Sequence, residues 1–270
     1  MNYDRFFAFG CSFTSWHWAT WADIIGKEFG EERYKNLGIC ASGNEFAFMR
    51  LTEAMARYHI TEKDLVIICW TNFSREDRWI KGWQLWGNVF SQSFYDKHFL
   101  EKYFDLKGAL IKSAGFIAGA SHLLNDVGCD YIFASAFPMT QIDQHDNLYT
   151  DTKFDDVFQV YRKYFDLIQP SMVEYLYGKN VWKNPDPVMV KFHKKDKKPW
   201  PDHHPNVLQH LKYAQDVIIP KLKKPLTLSA ETINWVSDWH SRTREHEYFM
   251  CEDSEQNYGH RWHNNHSKLL

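Results

Sequence analysis

Ser12, Gly43, Asn72 and the run Asp202-His203-His204-Pro205 are the groups in this chain whose types and positions could do chemistry together. Ser12 follows a short apolar run and a glycine, so its hydroxyl is a candidate nucleophile. Nearby backbone N–H groups could hold the oxyanion that attack on a carbonyl creates. Gly43 stands before a helical segment, where a backbone N–H can face a ligand. Asn72 closes an apolar run and could donate a side-chain hydrogen bond to developing negative charge. The last run, between Pro201 and Pro205, reads as a rigid loop presenting a carboxylate and two imidazoles just before a helix. Each group also has a plain structural role, as a turn or N-cap residue, so their meaning depends on convergence.

Convergence requires elements that end at one edge. Phe6 to Phe9 is a continuous apolar run of strand length, as expected for a parallel strand covered on both faces. Gly10 lets the backbone turn, and Trp18, Trp21, Ile25 and Phe29 then fall on one face of a helix predicted over 16–29. This places Ser12 at a strand's carboxyl end beside a helix N-terminus, the edge where open α/β sheets bind ligands. Tyr34 to Ile39 reads as a second strand, and Phe46 to Tyr58 as a helix. Asp64 to Trp70 is the clearest buried strand, and Leu106 to Val127 is a helix stopped by Gly128. Tyr131 to Phe137 is a fourth strand. The alternation predicts an α/β fold: a doubly wound, flavodoxin-like three-layer sandwich with a mostly parallel central sheet. The aromatic stretch 79–105 reads as a helical excursion over the active edge, and 138–200 as a less regular insertion. Within that insertion a helix is expected over 157–177, broken near Pro170, and a lysine-rich solvated loop over 191–198. Val207 to Leu222 reads as another helix. Residues 1–224 then form the α/β domain and 225–270 a C-terminal extension, read as a surface appendage or a contact for a homo-oligomer.

Composition narrows the class. The 270 residues suffice for one large α/β domain, and a formal net charge of -2 gives no basic excess for nucleic acid or an acidic membrane. The five cysteines are scattered, odd in number and without a CxxC pair, which favours free thiols in a reducing compartment. The first residues lead straight into a strand, and no apolar run approaches the ~20 residues of a membrane helix. The expectation is a cytoplasmic protein without a membrane or nucleic-acid partner. His260-x-x-His263-x-x-His266 has an i, i+3 spacing, yet Gly259, Asn264 and Asn265 argue against a helix that would hold a metal. No metal or cofactor is expected.

Taken in order, these blocks resemble the SGNH (GDSL-type) hydrolase superfamily, over about residues 1–222. The resemblance implies a serine esterase. Ser12 would be the nucleophile, Asp202 and His204 the acid and base, and Gly43 and Asn72 the oxyanion donors beside the Ser12 N–H. The chain departs from the pattern in three places. Cys11 replaces the usual Asp before the serine, Thr71 and Phe73 flank Asn72 in place of a Gly and an Asp, and Asp202 and His204 are separated by one residue rather than two. Gly38 and Ala41 remain alternatives to Gly43, and His203 and His210 weaker alternatives to His204.

The unusual feature is 12 Trp, 14 Tyr and 20 Phe. Trp16 and Trp18 follow the nucleophile, Trp79, Trp83 and Trp86 follow Asn72, and Trp200 precedes Asp202. Flat aromatic faces suit sugar rings, so the expected substrate is an O-acetylated carbohydrate, with Trp16, Trp18, Trp79, Trp83 and Trp200 as its wall. A catalytically inactive carbohydrate-binding or structural assembly protein is a second reading. A lipase or thioesterase acting on acyl chains is a third.

Overall fold

Phe6, Phe7, Ala8 and Phe9 are fully buried in strand β1 (Phe6–Gly10), and the strand's alternation sends them to two cores. Phe6 and Ala8 join one cluster, Phe7 and Phe9 the other. Each buried phenylalanine contributes roughly 1.5–3 kcal/mol by leaving water, so a strand apolar on both sides must be sheathed by helices on both. The computed structural model describes residues 3–90, 95–139, 153–178, 183–192, 196–245 and 247–251.

The sheathing matches the expected sandwich. Strands β1, β2 (Tyr34–Asn36), β3 (Leu65–Trp70) and β6 (Asp130–Ser135) form a four-stranded parallel sheet in the order β2-β1-β3-β6. Helix α1 (Trp21–Lys27) packs on one face through Trp21, Ala22 and Ile25, joined by α6 (Met172–Tyr177). Helix α7 (Val207–Tyr213) and the turn of π-helix after it complete this layer through Tyr213, Ala214 and Val217. Helices α2 (Asn44–Tyr58) and α4 (Leu106–Val127) cover the other face through Leu51, Ala54, Ile117 and Leu124. The sheet has a rudiment of a further strand: Ile168 bridges Phe133 in parallel, and the Gln169 N–H donates to the Phe133 carbonyl at 2.8 Å.

Several sequence expectations need correction. Residues 11–20 are turns rather than helix, and α1 begins only at Trp21, where Asp23 accepts from the Thr20 N–H at 3.0 Å. Ser12 is therefore not at a helix N-terminus. The stretch after Asn72 is an antiparallel hairpin, β4 (Arg75–Trp79) and β5 (Trp83–Asn88), followed by the short helix α3 (Lys97–Tyr103). Lys81 at φ 56° and Gly82 at φ 145° make its turn. The helix expected over 157–177 is α5 (Asp155–Phe165) and, beyond Pro170, α6.

Part of the proline-rich run is regular. Trp200–Asp202 is β8, antiparallel to β7 (Val188–Lys191), and β9 (Phe249–Met250) adds to β7's other side. β8 is an edge strand, where the missing N–H of Pro201 leaves no ladder bond unmade. The extension beyond residue 224 is not an appendage as far as Cys251. Helix α8 (Ala230–Arg242) buries Val236 and Trp239 in a third core with Trp18, Ile24, Val190 and Phe249. His246, His260, His263 and His266 lie outside the described residues. Among the described residues no cluster of three or more His, Cys, Asp or Glu could hold a metal, and no helix is long and apolar enough to cross a membrane.

Candidate active site

The backbone at Gly10 explains Ser12's position. Gly10 has φ 148°, and a Cβ there would meet Thr14 Oγ1 at 2.3 Å and the Cys69 carbonyl at 2.7 Å. Only glycine lets β1 turn this close to β3. The chain then folds into a tight turn, with the Thr14 and Ser15 N–H groups donating to the Cys11 carbonyl at 2.8 and 3.1 Å. Cys11 is fully buried, which is the place of this apolar residue where the family pattern has an acid. Ser12 is 3% exposed, and among the described residues nothing accepts from its N–H.

His204 comes from the far end of the chain. Its Nε2 lies 2.9 Å from Ser12 Oγ, and its Nδ1 lies 2.7 Å from Asp202 Oδ1. The carboxylate can only accept, so Nδ1 carries the proton and Nε2 is left to accept from the serine hydroxyl. Residues two apart can make this contact because the chain folds back sharply, with the His204 N–H also donating to Asp202 Oδ1 at 2.8 Å. Burial alone would raise the Asp202 carboxyl. The hydrogen bonds from the His204 ring and N–H and from Trp16 outweigh it and hold the group below the usual carboxylate range. The loop is tied on three sides. Trp18 Nε1 donates to the Pro205 carbonyl at 2.8 Å, and Asn184 Nδ2 to the His204 carbonyl at 3.0 Å. Asn206 caps α7 by accepting from the Gln209 N–H at 3.1 Å.

The two other histidines are elsewhere. Among the described residues, His203 Nδ1 is buried with no hydrogen-bond partner, and His210 is fully buried with neither ring nitrogen bonded. Burial, with a smaller effect from His204, pushes His210 down to about 3, so it is neutral. Neither approaches Ser12 within hydrogen-bond reach.

The oxyanion donors are only partly as expected. Asn72 Oδ1 is held by the Ser74 N–H at 2.8 Å and its hydroxyl at 2.7 Å, which fixes the amide and leaves Nδ2 available among the described residues. Gly43 is a correction. Its N–H donates to both Asp77 oxygens, at 2.8 and 3.0 Å, and the Phe46 N–H donates to Asp77 at 2.9 Å. Asp77 of β4 thus caps α2 from outside, and the Gly43 amide is spent on a carboxylate. Burial raises that carboxyl to about 6 against the pull of the two amides. Gly38 is spent too, its N–H donating to Asn36 Oδ1 at 3.1 Å. Of the three expected loop positions, Ala41 alone has an N–H that no oxygen accepts among the described residues, its hydrogen bond going to the neighbouring Cys40 thiol. It sits at φ 64°, beside Cys40, whose thiol burial pushes up to about 12. The left-handed turn at a non-glycine residue is the feature that sequence could not show.

The tryptophans separate into two sets. Trp18 is fully buried and belongs to the third core, so it is not a substrate contact. Trp16 stacks on His204 with ring centroids 3.8 Å apart and donates through Nε1 to Asp202 Oδ2 at 3.2 Å. It also meets His17 and Trp18 edge-on, with ring centroids 4.7 and 6.2 Å apart. Trp79 and Trp200 are 54% and 62% exposed, and Trp83 packs edge-on against Trp79 and against Phe46. Trp200 lies two residues before Asp202 in β8, on the same face of the strand. No family model matches the chain, and comparison with curated proteins gives no match either.

Proposed function

We propose that the protein is a serine esterase of SGNH type that hydrolyses a carboxylic ester through an acyl-enzyme on Ser12. The observation that carries this reading is the unbroken chain Asp202–His204–Ser12, with links of 2.7 and 2.9 Å. His204 Nε2 takes the hydroxyl proton as Oγ attacks the ester carbon, then returns it to the departing alcohol. Asp202 holds the tautomer and stabilises the imidazolium. The carbonyl oxygen gathers charge beside the Ser12 N–H, Asn72 Nδ2 and the Ala41 N–H. Water, deprotonated by the same imidazole, then frees the acid.

The exposed Trp79 and Trp200, with the half-buried Trp83 beside Trp79, favour an O-acetylated carbohydrate over a long acyl chain. Five scattered cysteines without a CxxC pair fit a reducing compartment such as the cytoplasm. Hydrolysis of p-nitrophenyl acetate by wild type and Ser12→Ala tests the reaction. Loss of activity in a folded Ser12→Ala supports it, and equal rates would sink it. Acetyl-xylan against esters of rising chain length tests the substrate, with preference for long chains contradicting the sugar.

A further inference from the structure

We propose that Arg75 is the anion-recognition residue of this site, so that the ester carries a carboxylate or phosphate group near the scissile bond. This rests on the esterase reading and adds the charge of its substrate. Arg75 opens β4, one turn beyond Asn72, and its Nη1 donates to the Ser42 carbonyl at 3.0 Å. Its guanidinium carbon lies 6.0 Å from the Phe137 ring. Phe137 meets Phe13 edge-on at 5.0 Å, and Phe13 lies 5.3 Å from the His204 ring. The charge of Arg75 is felt at the Cys40 thiol, which also feels Asp202. The guanidinium therefore stands on the same sheet edge as Ser12 and His204, against the loop that holds Ala41.

What it lacks, among the described residues, is an ion pair. Arg5, Arg50, Arg57, Arg78 and Arg244 each pair with a carboxylate within 3.3 Å. No carboxylate of the described residues lies within ion-pair distance of Arg75, although its side chain is half-buried. Asp77, two residues on, feels the Arg75 charge but gives its hydrogen bonds to the Gly43 and Phe46 amides. A guanidinium offers five N–H donors in a planar fork, and one hydrogen bond to a carbonyl leaves most of them for a ligand. Partly desolvated and without an ion pair among the described residues, it is best satisfied by an oxyanion arriving with the substrate.

The test uses matched aryl acetates: 4-acetoxybenzoate and 4-acetoxyphenyl phosphate against the neutral 4-acetoxybenzamide. Wild type is expected to prefer at least one anionic ester, and Arg75→Gln to cut the anionic-to-neutral ratio of kcat/KM at least tenfold. Arg75→Lys, which keeps the charge without the fork, is expected to fall between them. Whichever anion is preferred names the group. A merely structural Arg75 would lower all three esters alike and leave the ratio unchanged, which overturns the proposal. If Arg75→Gln does not fold, absence of any anionic preference in wild type overturns it equally. Calorimetric binding of the same esters to Ser12→Ala needs no turnover. Anion-selective binding there without hydrolysis by wild type would remove the esterase reading and keep the role of Arg75.

Discussion

Trp16 lies against His204 as a lid on the base, its ring 3.8 Å away and tilted by 25°, while its own N–H reaches past to Asp202. One indole thus orients both partners of the proton relay. Trp16→Phe keeps a flat ring and loses the donor. A hydrogen bond to a charged acceptor is worth about 1.5–3 kcal/mol, so kcat is expected to fall about tenfold or more with little change in KM. Steady-state kinetics check this, and a change confined to KM would move Trp16 back to the substrate wall.

Asp202→Asn leaves the geometry but removes the charge and turns one accepting oxygen into an NH2 donor, so the His204 tautomer is no longer fixed. In serine hydrolases this costs on the order of 10⁴-fold in kcat. The loss is expected here with an unfolding midpoint close to that of wild type at pH 7. A fall of less than tenfold would mean that Asp202 does not orient the base.

Asp77 and Asp202 should act on stability in opposite directions with pH. Asp77 has its folded value raised from 3.8 to about 6, so its proton is held more tightly in the native state. Native stability attributable to it is fully present below about pH 4 and is lost as pH rises to about 6, by roughly 3 kcal/mol. Asp202 has its value lowered, so its contribution is present above the unfolded value near 3.8 and is lost as pH falls below it. Urea unfolding of wild type and Asp77→Asn between pH 4 and 7 checks the first. The difference between the two proteins is expected to change sharply across that window, and a flat difference would contradict it.

Gly43→Ala probes the same contact sterically. The added Cβ would meet Asp77 Oδ2 at 2.7 Å and Arg75 Cβ at 3.0 Å, so the hairpin must move away from α2. Overpacking of this kind typically costs about 1–3 kcal/mol. Thermal unfolding is expected to show that loss, and an unchanged melting temperature would mean the hairpin yields freely.

The framework was legible where local rules and burial agree. Leu106–Val127 was readable to the residue because Asp105 accepts from the Gly108 N–H at one end and Gly128 turns left-handed at the other. Phe6–Phe9 was readable because only a two-faced core accommodates four apolar residues in succession. The β4–β5 hairpin was not, because Trp79, Trp83 and Trp86 also fit a helical stripe and the turn at Lys81-Gly82 is an unremarkable pair. In the site, Ser12, Asp202 and His204 were legible as chemistry. The occupation of Gly43 by Asp77 was not, since it joins residues 34 apart through a hairpin that the residue pattern does not signal. Trp16 and Trp18 looked alike in the sequence. One supports the relay and the other fills a core, a difference made by the side sheet β8-β7-β9 and α8.

The relay from Asp202 through His204 to Ser12 is tested most directly by a fluorophosphonate probe, read by intact mass and peptide mapping. A single adduct on Ser12 of the wild-type protein, absent from Ser12→Ala and slowed at least a hundredfold in His204→Asn, is the predicted result. A folded wild-type protein that takes no label, or one labelled as fast without His204, would contradict the account.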